Sequence, residues 1–177
     1  MRARPRGRLL FATALGVSDG ILNALILASA TVLRGVGLSL DLGTRVGVVA
    51  LCSAVLTVFV AEYAEYRSEL IRAERQLLFT RSGRLATTSL GRAVLRDAVT
   101  VALVAGSASF AGAALPLVIG ALTPTSSWIA LVVSVVALGG LGVLLAVHVG
   151  GRRSVWAAGL VVAGMIVTAI GVEVDLV

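Results

Sequence analysis

The chain has 177 residues, 58% hydrophobic and only 14% charged, and its mean hydropathy is +1.03. A soluble domain of this length needs a larger charged and polar surface, so composition argues against one. The net charge of +6 and the sequence pI near 11.2 would suggest a nucleic-acid partner in a soluble protein, but here the arginines lie between long apolar blocks, and no nucleic acid is expected.

Those blocks span residues 9–33, 46–66, 98–122, 128–147 and 155–174. Each is close to the ~20 residues that cross a ~30 Å hydrocarbon core as a helix. With their connections they take up residues 1–177 as a single membrane domain. The predicted fold class is an all-α integral membrane protein with five transmembrane helices.

The first block follows Arg2, Arg4, Arg6 and Arg8 and continues past Asp19 to Leu33. That is longer than a signal-peptide core, so it reads as a span. Gly16, Gly20, Ala24 and Ala28 recur every four residues and make one smooth face. Such faces let helix backbones approach in lipid, where packing drives association. Asp19 lies about ten residues into the span, ~15 Å deep by helix rise. A carboxylate there costs about 2.5–3.5 kcal/mol, and such residues face a pathway or a partner. Asn23 follows one turn later on the same face and offers an amide oxygen. The alternative is a protonated Asp19 that hydrogen-bonds between helices for packing alone.

In the second block, Cys52 is expected to be a small core residue rather than a ligand. As the chain's single cysteine it excludes an internal disulfide. Good helix formers continue from Glu62 to Leu78 with no Gly or Pro to stop them, which predicts a long helix reaching ~20 Å beyond the membrane into the cytoplasm. Glu62, Glu65 and Glu69 fall within an arc of about 60° on that helix. Stacked acids repel one another unless a cation or proton neutralises them, so they suggest a hard-ligand funnel for a divalent ion, or a proton acceptor. The blander reading is a solvated surface with Glu69 paired to Arg72.

The connection over residues 67–97 is rich in arginine: Arg67, Arg72, Arg75, Arg81, Arg84, Arg92 and Arg96. The helix is expected to stop near Ser82-Gly83, with Thr88 or Ser89 capping a short helix that leads into the third span. Pro116 is expected to kink that span by freeing a backbone carbonyl. His148 ends the fourth span as an interface residue. Gly159 with Ala163, and Gly164 with Thr168, offer small faces on the fifth.

The arginine-rich tail and second connection alternate with an arginine-poor first connection, a third that has none, and an acidic C-terminus with Glu173 and Asp175. The fourth connection carries Arg152 and Arg153. The positive-inside rule then places the N-terminus in the cytoplasm and the C-terminus outside. Tyr63, Tyr66, Trp128 and Trp156 fall at span ends, as interfacial aromatics do. No phosphate-binding loop, nucleophile–base pair or dinucleotide fingerprint occurs, so no enzyme activity is expected.

Gly16-Val17-Ser18-Asp19-Gly20 in the first span, Ala61-Glu62-Tyr63 closing the second, and the third-span segment Ser109-Phe110-Ala111-Gly112-Ala113-Ala114-Leu115-Pro116-Leu117 occur in that order. Together they resemble the motifs of the vacuolar iron transporter family, in a short form without its cytoplasmic metal-binding domain. The resemblance implies a homodimer that moves Fe²⁺ or a related divalent ion such as Mn²⁺ out of the cytoplasm in exchange for protons, with no permanently bound cofactor. Asp19 and Glu62 match the family's pathway acids, with the path between first and second spans at the dimer interface. Glu65 and Glu69 would gather the ion, Glu62 would bind it, and Asp19 would pass it across the midplane. The chain departs from the family in the short connection and in Val58, which stands where the family has methionine; an oxygen-only site separates Fe²⁺ from Mn²⁺ poorly. The expected location is a bacterial plasma membrane. Competing readings are a non-transporting membrane protein acting in assembly or partner binding, and a proton-coupled transporter of another small cation.

Overall fold

The computed structural model describes residues 5–33, 39–76, 89–122 and 128–173. These form five helices: α1 (Pro5–Leu33), α2 (Leu40–Gln76), α3 (Ser89–Leu122), α4 (Trp128–Val149) and α5 (Arg153–Glu173). All five are long and apolar enough to cross a membrane.

Local chemistry sets several ends. Pro5 opens the described part of α1, at a position where its missing N–H costs no helical hydrogen bond. Ser39 caps α2: its hydroxyl accepts the Leu42 amide at 3.2 Å, and its carbonyl accepts the Gly43 amide at 3.0 Å. Between α4 and α5, Gly150 takes a φ of 75°, the left-handed conformation open to glycine. The Gly151 amide then bonds back to the Ala146 carbonyl at 2.9 Å, which closes α4 with a Schellman turn. The Arg152 carbonyl next accepts the amides of Val155 and Trp156 and starts α5.

The two longest helices are α2 and α3. The 37 residues of α2 run ~55 Å and the 34 of α3 run ~51 Å at 1.5 Å per residue. A separate short helix ahead of the third span is not formed from Ser89 onward: α3 is continuous from that residue. Leu90, Arg92, Ala93 and Leu95 favour helix, and one glycine in the first turn does not outweigh them. The expected stop at Ser82-Gly83 and a cap at Thr88 lie outside the described residues. Pro116 is buried within α3, which continues to Leu122; it offers no N–H to the Gly112 carbonyl.

Among the described residues α1 touches all four other helices, whereas α2 packs only on α1 and α3, and α5 only on α1 and α4. Neighbouring contacts fix the directions. Ala12 packs with Val101 and Ala105, and Gly16 and Gly20 lie against Ala105 and Ser109, so α1 and α3 run parallel. Gly47 faces Phe110 and Gly106 faces Val55, so α2 is antiparallel to α3. Gly142 lies on Trp156 and Ala157, and Gly164 on Leu138, which makes α4 and α5 antiparallel.

The core is made of small residues. Ala24 and Ala28 pack with Leu117 and Ala130, while Ile21, Leu25 and Leu138 form a larger knot where α1, α4 and α5 meet. A Cβ at Gly159 would meet nothing within 4 Å and Ala163 is exposed, so that pair of small residues packs on no other helix among the described residues.

Candidate functional site

The small face of α1 determines where Asp19 goes. A Cβ at Gly16 would stand 2.9 Å from the Ala105 carbonyl carbon, and one at Gly20 would stand 2.8 Å from the Ala113 nitrogen. Gly112 of α3 returns the fit, since a Cβ there would meet the Val17 oxygen at 2.7 Å. Backbone approach this close brings the Ser109 hydroxyl to Asp19, where Oγ donates to Oδ2 at 3.0 Å. The same Oγ lies 3.4 Å from the Ala50 carbonyl of α2. Ser109 is fully buried and Asp19 half-buried, so the carboxylate sits where α1, α2 and α3 meet. An inter-helix bond of this kind serves packing, and it also holds a carboxylate oxygen at a three-helix junction. Asn23 is half-buried one turn further along α1, but the partner that Asp19 takes is Ser109.

Glu62 has a different environment. The Arg8 guanidinium of α1 pairs with Glu62 Oε2 and donates to the Tyr66 hydroxyl. It also lies over the Tyr66 ring, 4.4 Å from the centroid, in cation–π range. The ion pair is partly buried, with side chains 28% and 19% exposed. Glu62 therefore turns toward α1, while Glu65 and Glu69 are exposed on α2. Among the described residues, no three His, Cys, Asp or Glu side chains stand together as a metal-binding group. Arg8 and Asp19 are separated by eleven residues of α1, ~16 Å of helix rise, so the two acids occupy two levels along one central helix.

Cys52 is exposed on α2, which corrects its expected place in the core: it lies on the face of α2 that neither α1 nor α3 covers. Phe59 and Tyr63 stack with centroids 5.8 Å apart. His148 is exposed and its Nδ1 lies 2.9 Å from the Leu144 carbonyl, one turn back. Comparison with protein-family models, curated proteins and solved structures returned no match.

Two residues of this region were not among the sequence candidates. Arg8 reads in the sequence as one topology charge among fifteen basic residues. Ser109 belongs to the third-span motif, but nothing local marks it as the partner of a residue 90 positions away.

Proposed function

We propose that this chain is a homodimeric divalent-cation transporter of the vacuolar iron transporter type, exporting Fe²⁺ or Mn²⁺ from the cytoplasm in exchange for protons. The observation that carries this reading is the pair of acids at two levels of the bundle. Glu62 meets α1 at Arg8, and Asp19 meets α3 at Ser109. A carboxylate at membrane depth is costly enough to need a reason, and ion passage supplies one. In this reading the extended end of α2 projects into the cytoplasm, where Glu65 and Glu69 gather the ion. Glu62 receives it, and Asp19, with Asn23 one turn on, passes it across the midplane and carries the counter-proton.

The partnered state of both acids favours a second reading, a membrane protein that does not transport and in which Asp19–Ser109 and Glu62–Arg8 only join helices. The two separate by substitution. Transport requires that Asp19→Asn abolish the cellular phenotype; the non-transporting reading requires that it persist, while charge changes at Arg72 or Arg75 remove it.

The direct test is uptake of Fe²⁺ and Mn²⁺ into proteoliposomes under an imposed pH gradient, wild type against Asp19→Asn. Proton-coupled flux that the substitution abolishes is the expected result. No flux of either ion from folded, dimeric protein would sink the proposal, and competition by other cations identifies a different substrate.

A further inference from the structure

We propose that Arg8 is a tethered competitor for the ion site at Glu62, closing it when no divalent ion is bound. The inference rests on the reading of Glu62 as an ion-binding carboxylate and concerns how that site is controlled.

A topology arginine needs only to lie on the correct side of the membrane. Arg8 does more: its guanidinium is committed to Glu62, to the Tyr66 hydroxyl and to the Tyr66 ring. Glu62 and Tyr66 are four residues apart, so one face of α2 presents an acid and an aromatic ring as a fork around one cation. The other ion pair among the described residues, Arg45 with Asp41, is local to α2 and its side chains are 75% and 73% exposed. Arg8–Glu62 joins two helices and is largely withdrawn from water, where charge pairing is screened less.

A guanidinium carries one positive charge and a divalent ion two. At equal distance the divalent ion attracts Glu62 twice as strongly, whereas a monovalent ion matches Arg8 in charge and lacks its Tyr66 contacts. Arg8 is on the first turns of α1 at the end of a long flexible side chain. It can leave Glu62 without moving the helix, and the Tyr66 ring continues to hold it. The site is then neutral when empty and open to an ion that outbids one positive charge.

The test is Mn²⁺ binding to the purified full chain in detergent, read by the loss of the free-ion electron paramagnetic resonance signal. The variants are Arg8→Gln, Arg8→Lys, Glu62→Gln and the double substitution Arg8→Gln/Glu62→Gln. If the paired state closes the site about nine-tenths of the time, Arg8→Gln binds Mn²⁺ about tenfold tighter than wild type. The gain disappears in the double variant. Arg8→Lys keeps the charge and loses the planar fork, so it binds with intermediate affinity, and it carries the test if Arg8→Gln does not fold. Unchanged or weaker Mn²⁺ binding in the folded variants, a gain that survives Glu62→Gln, or no Mn²⁺ binding by any variant overturns the proposal. Flux in proteoliposomes judges the transport reading separately. Flux in wild type with unaltered binding in Arg8→Gln rejects only the role of Arg8; the expected binding pattern without flux rejects only transport.

Discussion

Asp19 stands out in the sequence because a carboxylate within a long apolar block is expensive, and the need for a partner follows from that cost alone. Which partner is a matter of folding: Ser109 reaches it from α3 at 3.0 Å. Ser109→Ala removes a buried donor and leaves that carboxylate oxygen without it. An intramolecular hydrogen bond contributes about 0.5–1.5 kcal/mol net, so a fall in the thermal transition of the detergent-solubilised protein is expected, and an unchanged transition would show the bond to be dispensable. Glu62 illustrates the opposite case. Its spacing from Glu65 and Glu69 suggests a stack of acids, yet Arg8, 54 positions earlier, takes Glu62 for α1. Helix periodicity reports neighbours on one helix and is blind to a cation on another.

At the scale of elements, the close contact of α1 with α3 depends on glycine at specific points. Gly20→Ala places a methyl group against the backbone of α3, and overpacking of that kind costs about 1–3 kcal/mol. Gly159→Ala is the control: among the described residues nothing lies within 4 Å of its Cβ position, and the thermal transition should stay level or rise slightly, since alanine favours helix by up to about 1 kcal/mol. Equal losses at both positions would contradict the packing described here. In the α4–α5 turn, Gly150→Ala forces a side chain into the left-handed region, at a cost of about 1–2 kcal/mol, read in the same melt. The Gly150 turn and the Ser39 cap emerged from the structure. The start of α2 at Leu40 instead of Val46, and the unbroken α3 from Ser89, follow from helix-forming residues outside the apolar blocks. Hydropathy marks the membrane, not the helix.

For the whole molecule, the alternation of helix directions agrees with the five apolar blocks, and the distribution of arginine predicts an orientation with the N-terminus inside. A periplasm-active reporter fused after Val177 should be active and a cytoplasm-active one silent; the reverse pattern would overturn the N-inside assignment. Exposed Cys52 on the outer face of α2 gives a single labelling position with which to test the proposed homodimer. If that face closes against a second copy, maleimide modification in membranes should be slower than in dissociated protein.

What the sequence determined by itself was the number of apolar helices, their approximate extent and the rarity of charge within them, because the length and polarity of each block are local properties matched to a bilayer of fixed thickness. It also marked the small face of α1. Only the tertiary structure decided that α1 is the central helix, that this face lies against the carbonyls of α3, that Asp19 bonds Ser109, and that Arg8 neutralises Glu62. Each of those depends on which helices become neighbours and in what register, and in lipid that choice is made by the fit of small surfaces across the bundle, not by the hydrophobic pattern along the chain.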